Sequence, residues 1–186
     1  MLGRPQMSTW LSLLGFKDGI DRNFIKKDSM QEPHNLRRWR NPDSPEHQSI
    51  YTCARPGRSA GRHGKVSDET VLNWFEGLPP QRPLTIISLL GEKPDGTSEY
   101  SYYSFQDSKE FKKWTAKHIA SDIEVLSFET VDFHEVDNEA IVQVREVTRG
   151  RFNLGGSVLI FDSGGVGRTS DVCRKLGFIE LDRQND

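Results

Sequence analysis

Hydrophobic and polar positions along residues 49–176 fall into short blocks of two alternating periods. Ile50-Tyr51-Thr52-Cys53 is a short apolar run that predicts a strand. Residues 84–90 are apolar and rich in β-branched side chains, as a strand buried on both faces requires. Residues 124–128 alternate as a strand does, and Val158-Leu159-Ile160-Phe161 is a further buried strand. Between these runs come helical patterns. Ser67 is placed to cap a helix running to about Glu76, with Asp68 and Glu69 in the first turn, where the helix dipole favours negative charge. Asp107-Ser108-Lys109-Glu110 is a capping box, and it opens a helix with Phe111, Trp114, His118 and Ile119 on one face. Asp137 or Asn138 caps a helix carrying Ile141, Val144 and Val147, and residues 170–176 form a last short helix. Residues 100–105 fit an edge strand and a loop equally well. Strands alternating with helices predict an α/β fold, a mainly parallel sheet flanked by helices.

Upstream of Ser49 the pattern is weaker. Trp10, Leu11, Leu13, Leu14, Phe16, Ile20, Phe24 and Ile25 are spaced in a partly helical way that Gly15 and Gly19 interrupt. Pro33, Pro42, Pro45, Pro56, Gly57, Gly61 and Gly64 make residues 28–65 read as an extended connector. The expected organisation is an N-terminal basic extension, 1–48, followed by one domain, 49–186. Charge supports that division. Residues 1–65 hold 12 Lys and Arg against 6 Asp and Glu, whereas residues 66–186 hold 13 against 21. A basic arm of this kind can fold back on the acidic body or hold a protein partner. Nucleic acid is not expected as a partner. No run of 18 apolar residues and no secretory leader pattern is present, so the reading is a cytoplasmic protein with no membrane contact. Two cysteines, Cys53 and Cys173, give neither a disulfide framework nor a zinc spacing.

The candidate chemistry lies where the 158–161 strand runs into Asp162-Ser163-Gly164-Gly165-Val166-Gly167-Arg168-Thr169. Glycines at 164, 165 and 167 allow the backbone to approach an anion closely. Successive N–H groups can then point inward, and the N-terminus of the following helix adds partial positive charge. Arg168 can grip two oxygens of a phosphate, and Thr169 can hydrogen-bond back across the loop. The expected phosphate-binding set is therefore Ser163, Gly164, Gly165, Val166, Gly167, Arg168 and Thr169.

This string resembles the phosphate loop of the cysteine-dependent tyrosine and dual-specificity phosphatases, His-Cys-x5-Arg-Ser/Thr. The nucleophile position, six before Arg168, is Asp162, and the preceding His is Phe161. The family carries a general-acid Asp on a loop about 30 residues earlier; Thr130-Val131-Asp132-Phe133 is similar to it, with Asp137 as runner-up. Ile50-Tyr51 with Arg55-Pro56-Gly57 resembles the family's opening strand and turn. The resemblance covers roughly 49–176 and implies a dual-specificity-phosphatase-like fold with Asp162, Arg168 and Asp132 at the catalytic positions and no cofactor. Because a thiolate nucleophile is missing, it implies a pseudophosphatase that binds a phosphorylated protein or small phosphoester without cysteine-based hydrolysis. Two alternatives stand beside it. One is an active phosphoester hydrolase with Asp162 as nucleophile or base. The other is a scaffold protein with a vestigial loop. The string is also similar to the nucleophile strand of haloacid-dehalogenase-type hydrolases. That family needs a carboxylate two residues on, where this chain has Gly164. A Walker-type reading fails because Arg168 stands in place of Lys.

The remaining candidates are weaker. Cys53-Ala54-Arg55-Pro56-Gly57-Arg58 imitates a second Cys loop with its Arg one position too early. Arg55, Arg58, Arg62, His63 and Lys65 can rim a pocket or form a solvated basic turn. Cys173, Phe111 and Trp114 are expected in the core, His118 and His134 are isolated, and no cluster has metal-ligand spacing. The short stretch after the phosphate loop predicts that residues 10–25 cover a sheet face.

Overall fold

The computed structural model describes residues 33–45, 48–58, 64–78 and 83–181. Six strands and four α-helices are present among these residues: β1 (Arg37–Arg40), β2 (Ser49–Ala54), α1 (Asp68–Glu76), β3 (Leu84–Ser88), α2 (Ser108–His118), β4 (Ile123–Ser127), α3 (Asn138–Asn153), β5 (Ser157–Asp162), α4 (Gly167–Lys175) and β6 (Ile179–Glu180). The strands form one sheet in the order β4-β3-β5-β2-β1-β6. The first three pairings are parallel and the last two antiparallel. The sheet is therefore mixed, which corrects the expectation of a mainly parallel one. The difference comes from β1 and β6, which extend the parallel block on its β2 side.

β1 lies upstream of residue 49 and pairs with β2 along Arg37–Thr52 to Arg40–Ser49. Its sequence, Arg37-Arg38-Trp39-Arg40, hides the strand: only Trp39 is buried, and its indole N–H donates to Thr52 Oγ1 at 2.9 Å. One aromatic anchor among arginines gives no period to read. Residues 10–25, expected over a sheet face, lie outside the described residues.

The other strands carry alternating core positions on two faces. Leu159 and Phe161 of β5 face an aromatic cluster with Trp74, Phe75, Tyr100, Phe105 and Phe111. Val158 and Ile160 face the opposite cluster, with Ile141, Val144, Val172, Cys173 and Phe178. α1 and α2 thus cover one face, and α3 and α4 the other. The caps form as the sequence reads. Ser67 accepts from Thr70 N–H, Asp107 from Glu110 N–H and Asp137 from Ala140 N–H. Glu110 Oε2 reaches back one residue beyond the N-cap of the expected capping box and accepts Gln106 N–H at 2.7 Å. Residues 100–105 are neither an edge strand nor a plain loop; Glu99–Tyr102 is a turn of 3₁₀ helix capped by Ser98. α4 starts three residues before the expected 170, at the end of the glycine loop itself.

β5 lies between β3 and β2, so the parallel strands send their carboxyl-end loops to one edge of the sheet. That edge is where open α/β sheets place ligands. It receives Arg55 and Arg58 from the turn after β2, Glu99 from the loop after β3, Asp132 from the loop after β4, and Asp162 with its glycine loop from β5.

Candidate functional site

The loop after β5 folds into a nest, and Asp162 fills it. Asp162 Oδ1 accepts the N–H of Gly164 at 2.9 Å and that of Gly165, and Oδ2 accepts the N–H of Thr169 at 2.9 Å. The carboxylate is 2% exposed and caps the start of α4, which has no capping side chain from Val166. Gly165 is required here. It sits at φ +75°, and a Cβ on it would collide with the backbone of Cys53 and Ala54. The loop is thereby pressed against the end of β2. Asn35 fastens its far side by donating from Nδ2 to Gly164 O at 2.8 Å.

Arg168 reaches in the other direction. Its Nη1 donates to Leu89 O (2.9 Å), Thr130 O (2.8 Å) and Glu99 Oε2 (2.7 Å), and Nη2 donates to Glu99 Oε1 at 2.9 Å. Nη2 also lies 3.0 Å from Asp132 Oδ1. Glu99 is 1% exposed and accepts Gly91 N–H at 2.9 Å, so it is fixed before it meets the guanidinium. Burial alone would lower the Arg168 pKa. The hydrogen-bonded Glu99, with the charges of Asp162 and Asp132 behind it, reverses this and leaves the pKa raised.

Asp132, Asp162 and Arg168 line a cleft of about 620 Å³ that also takes in Arg58, Tyr102, Phe133, His134, Glu135, Ser163, Gly164, Gly167 and Asp171. Asp132, Asp162 and Arg168, the three expected catalytic positions, therefore meet at one cleft. Of the expected phosphate-binding set, Ser163, Gly164, Gly167 and Arg168 line it. Gly165 is buried beneath, and Val166 is 44% exposed. Thr169 reaches back across the loop through its backbone N–H, while its buried hydroxyl has no hydrogen-bond partner among the described residues. Asp137 caps α3 and does not line the cleft. Phe133 holds a left-handed backbone, φ +62°, and shows 87% of its surface at the cleft. For a bulky side chain that geometry is strained, and strain of this kind collects at binding loops.

Cys53 is not part of a second loop. It is a core residue of β2, 0% exposed, and burial followed by the Asp162 charge pushes its thiol pKa well up. Cys173 is buried in the same way on α4. Within the basic turn, Arg58 lines the cleft, Arg55 is fully buried, and Lys65 Nζ donates to Ser101 O at 2.6 Å. Arg62 and His63 lie outside the described residues. Sequence reading missed Glu99, Tyr102, Glu135 and Asp171. The Glu99 carboxylate belongs to a single turn whose role depends on a pairing 69 residues away, so no local period marks it. Asp171 accepts Val136 N–H at 3.0 Å and pairs with Lys175 at 2.9 Å.

Among the described residues no His, Cys, Asp and Glu group converges on a metal-sized site, and no helix is long and apolar enough to cross a membrane. No protein-family model matches the chain, and no curated protein matches it. Among solved structures the chain is similar to the crystal structure of a glycine-to-alanine mutant form of Tk-PTP, at 14% identity and a TM-score of 0.41, over 74% of this chain and 71% of that one.

Proposed function

We propose that this is a phosphatase-like protein whose phosphate nest is occupied by its own carboxylate, and that it works by binding rather than by hydrolysis. One observation carries the reading: both oxygens of Asp162 accept N–H groups of the loop, from Gly164, Gly165 and Thr169. A phosphoryl group entering that nest would have to displace the carboxylate and meet its charge at close range, where the low effective dielectric makes repulsion strong. The same bonds argue against Asp162 as a nucleophile, since its lone pairs are committed to donors that lower its reactivity. Arg168, the other residue a phosphate would need, is held away by Glu99 and two backbone carbonyls. On this reading the partner is a phosphorylated protein or small phosphoester recognised at the cleft, with Asp132 in the acid position idle because no thiolate accompanies it.

Aryl-phosphate hydrolysis tests the reading. The wild-type chain, with and without magnesium, and Asp162→Asn should all release no product above the uncatalysed rate. Turnover in the wild type that disappears in Asp162→Asn would overturn it in favour of a carboxylate-based hydrolase.

A further inference from the structure

Tyr102, which lines the cleft, is flanked by cationic groups that the Asp162 nest does not explain. β2 ends in the turn Arg55-Pro56-Gly57-Arg58, closed by Arg58 N–H donating to Arg55 O at 3.0 Å, with Gly57 at φ +73°. Arg58 lines the cleft. Arg55 is 0% exposed. Its guanidinium carbon lies 3.9 Å from the centre of the Tyr102 ring and 5.7 Å from that of Tyr103, and Nη1 donates to Tyr103 Oη at 3.4 Å. Nε and Nη2 have no hydrogen-bond partner among the described residues. The aromatic faces compensate charge above the guanidinium plane, but they leave the in-plane N–H donors unserved. A buried cation with open donors is an unfavourable arrangement that native proteins complete with an anion.

The carboxylates around the cleft each have a partner of their own, and the charge of Asp132 also reaches Arg58. Asp132 pairs with Arg168, Asp162 fills the nest, and Glu135 and Asp171 both pair with Lys175. A third cation, Lys93, has its ammonium 4.1 Å from the centre of the same Tyr102 ring. Burial, and next the charge of Arg55 beside it, lowers the pKa of Arg58, as expected where cations crowd together.

We infer that the Arg55–Arg58 turn is a binding site for a phosphoryl group, which enters past the half-buried Tyr102 ring and takes the open guanidinium edge of Arg55 together with Arg58. Two cations at the Tyr102 ring, with Arg58 in the adjoining cleft, suit a dianion with several oxygens, and guanidinium is the group that pairs such oxygens two at a time. The inference rests on the reading that Asp162 fills the nest, because that reading leaves the phosphoryl group in need of another partner.

Titration of the ¹⁵N-labelled chain with inorganic phosphate, and in parallel with phenyl phosphate, tests this. Arg55 Nε and the Arg58 amide should shift and saturate, while the amides of Gly164, Gly165 and Thr169 stay in place. Phosphate alone saturating marks a free anion as ligand, and tighter saturation by phenyl phosphate marks a phosphoester. Arg58→Gln should weaken binding about tenfold, the loss of one charge-assisted contact. Arg55→Met should abolish it, yet melt no lower than wild type in phosphate-free buffer, because an uncompensated buried charge has gone. If neither arginine responds to millimolar phosphate, the inference fails and the filled nest stands. If the nest amides shift instead, the occupied-nest reading fails with it.

Discussion

Arg168 donates to two backbone carbonyls and to both oxygens of Glu99, and Nη2 also touches Asp132. Glu99 and Arg168 are 1% and 4% exposed at the side chain, so solvent does little to screen the pair. Such a pair contributes modest net stability when whole, but losing one partner strands a buried charge, which costs about 3–5 kcal/mol. Glu99→Ala should lower the unfolding free energy by that amount, read from urea denaturation. Glu99→Gln, which keeps a carbonyl acceptor in place, should lose less. The same substitutions should loosen Asp132, since its 3.0 Å contact is with the nitrogen that Glu99 holds in position. A Glu99→Ala chain as stable as wild type would mean that the two carbonyls alone satisfy the guanidinium.

The glycine loop and β2 act as one element because Gly165 lies against the backbone of Cys53 and Ala54. A Cβ at 165 meets both the left-handed φ of +75° and that backbone, whereas a Cβ at 164 meets nothing within 4 Å. Gly165→Ala should therefore lose at least about 2 kcal/mol, from strain in φ together with a steric clash that only backbone movement relieves. Gly164→Ala should stay within about 0.5 kcal/mol. Equal melting temperatures for the two variants would show that the loop does not press on β2. At this scale the sequence was informative wherever one local rule decided the structure. The caps at Ser67, Asp107 and Asp137, the run at 84–90 and the strand before Asp162 follow from spacing and capping chemistry alone. β1 and Glu99 did not follow. The first is held by a partner strand and one indole hydrogen bond, the second by a guanidinium far along the chain, and neither leaves a local period. The nest itself was legible as glycines and an arginine. That Arg168 would turn away toward Glu99 was not, because the choice between a loop anion and a buried carboxylate is made by tertiary contact.

Across the whole molecule, several buried weak acids are kept protonated by the two-faced core. Burial raises the thiol pKa values of Cys53, on the Trp74 side of the sheet, and of Cys173, on the Ile141 side, well above the ordinary 9.0. Burial likewise pushes Tyr51 and Tyr100 up to about 12 from 10.0. In each case the folded chain holds a proton that the unfolded chain releases at lower pH. Stability from these groups is therefore complete below about pH 9 and is lost as pH rises toward the folded values, at about 1.4 kcal/mol per pH unit for each group that has begun to titrate in the unfolded state. The thiols act first, so the urea midpoint should fall from about pH 9 and more steeply above about pH 10, when the tyrosines join. Cys173→Ala, compared with wild type across the same range, should flatten the first part of the decline by the share of one group. In native protein at about pH 8 both thiols should resist alkylation and react only after unfolding. A midpoint unchanged between about pH 8 and 10.5, or rapid labelling of the native chain, would mean that water reaches both faces of the sheet and that the two clusters do not form the closed core from which the cleft is built.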